Sequence, residues 1–183
     1  YMGDTRIDDA FQDLLSSGTF LRMCIRTDSL KGLCMLIDSP GRRNIIKTMD
    51  KKRNTVLHLA IDSPRVMRLL LQLPECTQRI NAVNILRCTP LYLACDSNST
   101  DTATLLLQHG ADPNTYSIYK DVALHRSAIH DNAPLCTLLL KHGADINAHN
   151  ASAATPLHLA TRRDAIDTIR VLLHHGAQYT TLD

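Results

Sequence analysis

Short apolar clusters recur along the chain at a nearly constant spacing, and each is followed by a longer aliphatic run. The clusters begin at residues 19, 55, 89, 122 and 155, so that successive starts are 36, 34, 33 and 33 residues apart. Two apolar segments in each period predict a pair of short helices, and a fixed period in this range indicates a stacked repeat array. The aliphatic runs end 16 or 18 residues after the cluster starts, at Ile37, Leu71, Leu107, Leu140 and Leu173.

The clusters also share a residue pattern. Residues 55–60 read TVLHLA, residues 89–94 read TPLYLA and residues 155–160 read TPLHLA. A Thr at the first position suits the N-cap of the inner helix, and a Pro at the second suits its first turn. Glycines that suit a left-handed helix end follow the last three aliphatic runs, at Gly110, Gly143 and Gly176.

The order Thr-Pro-Leu-His-x-Ala, then Leu-Leu, then Gly-Ala-Asp-x-Asn closely resembles the ankyrin repeat. The resemblance covers about 165 of the 183 residues. It implies an all-α ankyrin-repeat solenoid, in which stacked helix-turn-helix pairs carry projecting hairpin loops. We predict one domain over 1–183, with a capping helix at about 8–17 and repeats at about 18–47, 48–81, 82–114, 115–147 and 148–183.

The first two repeats and the fourth depart from the regular pattern. Repeat two lacks two residues between its helices, and repeats one and two each carry three extra residues after the outer helix. We expect these insertions, around 39–42 and 74–77, on exposed loops. In repeat four Val122 replaces the capping Thr, with an expected cost of roughly 1 kcal/mol.

The composition argues against several classes of function. A net charge of +2 gives no general argument for binding nucleic acid or membranes, and no apolar stretch approaches the length of a membrane span. The six cysteines contain no C-x-x-C pair. We predict that they are reduced, and that the protein is cytoplasmic, nuclear or both.

The nine histidines do not predict a metal or catalytic site. Six of them occupy fixed repeat positions, and the resemblance implies that those in the motif hydrogen-bond between adjacent hairpins. Phosphate-binding, hydrolase and zinc-protease motifs are missing from the sequence. We therefore predict no enzyme activity, no cofactor and no metal. The six histidines are His58, His125 and His158 in the motif, and His109, His142 and His175 before the helix-ending Gly.

Equivalent residues of successive repeats should lie side by side, about 10 Å apart. The loops before motifs two to five, which we call fingers two to five, therefore form a row. Where the ankyrin family usually has Gly, two residues before the motif, these fingers carry Arg53, Arg87, Lys120 and Ala153. The three cations, which we call the cation row, favour an acidic partner. The alternative is that these tips are solvated turns with no need for Gly.

Apolar residues accompany the cation row on fingers three and four. We call Ile85, Leu86, Tyr116, Ile118 and Tyr119 the apolar patch. Apolar residues grouped on projecting loops are typical of a contact surface, in which aromatic anchors carry much of the binding energy. The alternative is that these side chains pack against the neighbouring hairpin. Further predicted partner-binding residues are Lys51 and Lys52 in finger two, Asp62, Asp96, Ile129 and Arg162 at the inner-helix ends, and Arg126 nearby.

The sequence thus predicts a module that binds a peptide or folded protein, with an acidic and apolar segment, on the concave face of hairpins and inner helices. Two narrower alternatives are an inhibitor or cofactor of a transcription factor, and the substrate-recognition part of a ubiquitin ligase. Nucleic-acid or phosphoinositide binding by the basic cluster at 42–53 is disfavoured, because acidic and basic counts balance and no aromatics accompany these cations.

One modification site is suggested by resemblance. Leu139 followed by Asp145-Ile-Asn147 is similar to the site at which an asparaginyl hydroxylase modifies ankyrin hairpins. Hydroxylation of Asn147 is therefore a hypothesis, beside the structural role that Asn often has at this position.

Overall fold

The computed structural model describes residues 18–39 and 46–179, and within these ranges the regular elements are helices. The inner helices of the five repeats are α1 Gly18–Arg26, α3 Val56–Leu59, α6 Pro90–Asp96, α8 Ala123–Ile129 and α10 Pro156–Arg162. The outer helices are α2 Leu30–Ile37, α4 Pro64–Leu70, α7 Thr100–Gln108, α9 Ala133–Lys141 and α11 Ile166–His174. An additional short helix, α5, spans Pro74–Thr77.

Helix starts follow the Thr-Pro rule in the regular repeats. The Thr89 hydroxyl accepts a hydrogen bond from the Tyr92 amide at 3.1 Å, and Pro90 occupies the first helical turn. Val122 makes no side-chain cap, as predicted, and its amide donates instead to His125 Nδ1 at 3.1 Å. The rule is wrong for repeat one, because α1 already includes Thr19.

One continuous apolar core runs through the stacked pairs. The third motif residue is buried in each of the last four repeats, as Leu57, Leu91, Leu124 and Leu157. A Leu from each of the last four outer helices packs against this row and is fully buried. Each buried Leu contributes about 1.5–3 kcal/mol. The stack therefore fixes the position of every loop that the helices carry.

Left-handed backbone occurs at two places within the repeats, at the ends of outer helices and between the two helices of a pair. Gly110, Gly143 and Gly176 have φ between 83° and 88°, which confirms the predicted helix ends. In four of the five repeats the turn between inner and outer helix uses an Asx residue instead, which tolerates this conformation better than other non-Gly residues. These residues are Asp28, Asn98, Asp131 and Asp164.

The insertion of repeat two is not an exposed loop, so that prediction is wrong. Residues 74–77 form α5, and Cys76 is buried. Leu73 and Ile80 are also buried, so this segment extends the core. The two-residue deletion is visible in α3, which has 4 residues where the next inner helix has 7. The predicted capping helix at 8–17 lies outside the described residues, as does most of the insertion of repeat one.

Candidate functional site

The fingers are joined side by side by their backbones. Each of fingers three, four and five donates one amide hydrogen bond to a carbonyl of the finger before it, and the bonded residues are 32 or 33 positions apart. This is the register that the repeat period predicts. The three bonds run from Ile85 to Lys52 at 3.0 Å, from Ile118 to Leu86 at 3.0 Å and from Ala151 to Tyr119 at 2.9 Å.

The same hydrogen-bond pattern closes each finger. The side-chain oxygen of one residue accepts two backbone amides, from the second and fourth residues after it, at distances of 2.7 to 3.3 Å. These closing residues were missed in the sequence, although their spacing of 33 or 34 residues and their Asx or Ser character were visible there. The closing residues are Asp50, Asn84, Ser117 and Asn150.

The electrostatics of finger two reflect this closure. Partial burial raises the pKa of the Asp50 carboxyl, but hydrogen bonds from Asn54 and Lys52 outweigh it. The pKa of Asp50 consequently lies below its ordinary value. The closing carboxylate is therefore charged across the physiological range.

In all four fingers the residue three positions after the closing residue has a left-handed backbone. Arg53, Arg87, Lys120 and Ala153 have φ between 56° and 59°. This backbone favours Gly, and it costs other residues roughly 1–2 kcal/mol. The fold keeps the glycine geometry without glycine, and the cation row is strained at each of its three positions. An acidic partner for the cation row stays a prediction, beside the alternative that these are solvated turns.

The apolar patch is exposed. Tyr119 is 62% exposed, Ile85 is 53%, and the remaining three members lie between 42% and 44%. These side chains therefore do not pack away against the neighbouring hairpin. Lys51, Lys52 and the three members of the cation row are exposed around them. Contact with a partner stays a prediction for all of these residues.

The predicted partner-binding residues at the inner-helix ends are less free to contact a partner than the sequence suggested. Arg126 Nε donates to Asp96 Oδ1 at 2.6 Å, so these two predicted partner-binding residues bind one another. The ring of His130 also contacts the Asp96 carbonyl at 2.7 Å. Asp62 and Arg162 are exposed, and Ile129 is half-buried. The exposed part of the predicted site is consequently concentrated on the fingers.

Two of the motif histidines bridge repeats. His58 Nε2 lies 2.9 Å from the Cys88 carbonyl, and His125 Nε2 lies 3.0 Å from the Ala154 carbonyl. Burial lowers the pKa of both rings. The predicted hydrogen bonds between adjacent hairpins are therefore confirmed for His58 and His125. For His158, the ring nitrogen Nδ1 lies 2.8 Å from the Thr155 hydroxyl of its own repeat.

Asn147 belongs to a row of asparagines that clamp successive repeats. Each side-chain oxygen accepts the amide of a residue 31 positions later, at 2.8 or 2.9 Å. Hydroxylation of Asn147 stays a prediction beside this structural role. The bonds run from Asp112 to Asn81, from Asp145 to Asn114 and from Gln178 to Asn147.

Within the described residues, His, Cys, Asp and Glu form no group of three that could hold a metal ion. Over the same part of the chain, no helix combines the length and apolar character required to cross a membrane.

This chain belongs to the ankyrin-repeat family. The family described as "Ankyrin repeats (3 copies)" matches residues 16–117 and 118–183, which together cover most of the sequence. Ankyrin repeats are protein–protein interaction modules, and the family is typically non-enzymatic. A search of curated proteins finds no match to the chain.

Proposed function

We propose that this ankyrin array binds a protein partner through the apolar patch and the cation row. The observation that carries the proposal is the exposure of five large apolar side chains on two adjacent fingers. Apolar groups gathered on a projecting surface are typical of an interaction site. The partner segment would be apolar where it meets the patch, and acidic where it meets Arg53, Arg87 and Lys120.

The two features would contribute differently to binding. Tyr119 is the most exposed member of the patch, and an aromatic anchor of this kind typically contributes about 2 kcal/mol or more. Its loss should weaken binding roughly 30-fold. The cation row would mainly raise the association rate and select acidic partners. Because the closing hydrogen bonds already order the fingers, little flexibility is lost on binding.

We further infer that the partner is met in the cytoplasm, the nucleus or both, because the six cysteines lack the paired spacing of a disulfide framework. The partner's identity distinguishes the narrower roles. A transcription factor would favour the inhibitor or cofactor role, and a protein marked for degradation would favour the ubiquitin-ligase role.

Affinity capture from cell lysate, with variants matched in chemistry and exposure, tests the proposal. Ile85→Asp is compared with Ile166→Asp, because both side chains are 53% exposed and Ile166 lies on outer helix α11. Tyr119→Ala is compared with Tyr179→Ala, since Tyr179 is also exposed and lies beyond the last helix. All four variants are first checked for wild-type helicity by circular dichroism.

We expect a protein that wild type and both controls retain, and that Ile85→Asp and Tyr119→Ala both lose. Equal recovery by the patch variants and the controls would refute the proposed site. A charge-reversed triple variant of the cation row should lose the same protein, and this loss should be larger at low ionic strength because salt screens exposed charges.

A further inference from the structure

An open cleft of about 630 Å³ lies beside the apolar patch, between fingers four and five. Its volume is within the range of about 300–1,000 Å³ in which protein pockets hold ligands. Two members of the apolar patch and two of the cation row line one side, as Tyr116, Ile118, Arg87 and Lys120. The opposite side is the chain that leads into finger five, with Asp145, Asn147 and His149.

The charges that line the cleft come from different loops. Arg87 and Lys120 are the left-handed residues of finger tips three and four. Asp145 lies at the base, where the chain leaves the outer-helix end, and its amide is fixed by Asn114 Oδ1 at 2.8 Å. Tyr116 and Ile118 belong to the chain of finger four, which also carries Lys120. The cleft is thus lined by two cations, by two exposed apolar side chains and by one carboxylate from the chain that leads into finger five.

The cleft walls are ordered before any ligand binds. Ser117 Oγ accepts the amides of Tyr119 and Asp121 at 3.3 and 3.2 Å, which closes finger four. Asp145 Oδ1 accepts the Asn147 amide at 3.0 Å, which shapes the opposite wall. A preformed site loses less conformational freedom on binding than a flexible one.

We propose that this cleft holds an extended segment of the partner that carries an acidic, an apolar and a basic residue. The acidic residue meets Arg87 and Lys120, the apolar side chain contacts Tyr116 and Ile118, and the basic residue meets Asp145. The inference deepens the proposed function and rests on it. It adds the chain that leads into finger five to the site, and it specifies the chemistry of the bound segment.

Charge complementarity distinguishes this occupant from others. A segment that is acidic throughout would bring a second carboxylate against Asp145, and like charges brought together in an interface oppose binding. A segment that is basic throughout would meet the same conflict at Arg87 and Lys120. A segment that carries charges of both signs can pair with the cations and with Asp145.

Selection from a phage-displayed random peptide library tests the proposal. The full chain is used as wild type, as the double variant Arg87→Glu/Lys120→Glu, and as Asp145→Lys. Asp167→Lys is the matched control, because Asp167 is an exposed aspartate on outer helix α11 and does not line the cleft. Enriched peptides are sequenced, and their dissociation constants are measured by fluorescence anisotropy.

Wild type and Asp167→Lys should enrich the same pattern of an acidic, an apolar and a basic residue. The double variant should replace the acidic residue by a basic one, and Asp145→Lys should replace only the basic residue by an acidic one. The wild-type peptide should bind each cleft variant roughly tenfold more weakly, and the compensating charge change in the peptide should restore its affinity.

A pattern that does not change with Asp145→Lys would overturn the proposed cleft, as would the absence of any enriched peptide from wild type. Neither result would decide the proposed function, because Ile85→Asp and Tyr119→Ala test the apolar patch separately. Loss of capture by those two variants together with an unchanged peptide pattern would place the partner on the patch alone.

Discussion

Replacing a strained cation by glycine should make this protein more stable and a weaker binder. Arg87 is the informative position, because its φ is 56° and its side chain is exposed at the tip of finger three. Its amide donates to the Asn84 carbonyl at 3.0 Å. The substitution Arg87→Gly keeps this backbone bond, buries nothing new and removes only the strained side chain.

The expected gain is the difference between two opposing effects. Left-handed backbone costs a non-Gly residue roughly 1–2 kcal/mol. Glycine loses more conformational entropy on folding, which offsets about 0.5–1 kcal/mol of that gain. Arg87→Gly should therefore raise the free energy of unfolding by about 0.5–1 kcal/mol. For a chain of this size, that difference shifts the melting temperature upward by roughly 1–4 °C.

Two further substitutions separate strain from charge. Ala153 has the same left-handed backbone, with φ of 57°, and carries no charge. Ala153→Gly should therefore stabilise the array without changing partner binding. Arg87→Ala keeps the strain and removes the charge, so it should weaken binding as much as Arg87→Gly does and leave stability nearly unchanged.

Urea unfolding followed by circular dichroism measures stability, and capture of the protein retained by wild type measures binding. The reasoning is refuted if Arg87→Gly unfolds at no higher urea concentration than Arg87→Ala. A loss of binding in Ala153→Gly would separately refute the assignment of the effect to charge.

Three further results follow from the closures and the bridging histidines. His125→Ala should lower the free energy of unfolding in urea by about 3 kcal/mol, because it leaves the buried Ala154 carbonyl without its partner and opens a cavity. Stability should fall as pH drops below about 6.5, because burial lowers the pKa of His58 and His125 in the folded protein. Below this pH the unfolded chain binds more protons than the folded one. Urea midpoints at several pH values measure this fall. Asn84→Ala should lower the free energy of unfolding by about 1–2 kcal/mol and speed amide exchange at Leu86, whose N–H it releases.

The helix pairs and the register of the fingers were predictable because they depend only on a residue's position within the repeat. A fixed repeat determines which loops are neighbours, and the bond from the Ile118 amide to the Leu86 carbonyl has that register. Pairing between individual side chains depends on rotamers, so Asp96 and Arg126 were predicted as separate contact residues although they form an ion pair. The α5 insertion did carry a signal, since apolar residues at Leu73, Cys76 and Ile80 have helical spacing.

The strain in the cation row could not be read from the sequence, because an arginine in place of glycine is compatible with two backbone conformations of the turn. One conformation is relaxed and the other is left-handed, and the hydrogen bonds of the closing residue select the left-handed one. Asn84 Oδ1 accepts the amides of Leu86 and Cys88, and each bond contributes about 1 kcal/mol. Together they offset the roughly 1–2 kcal/mol of left-handed strain, so the glycine geometry survives without glycine. This position is thereby open to residues other than glycine, and in three successive fingers it holds a cation.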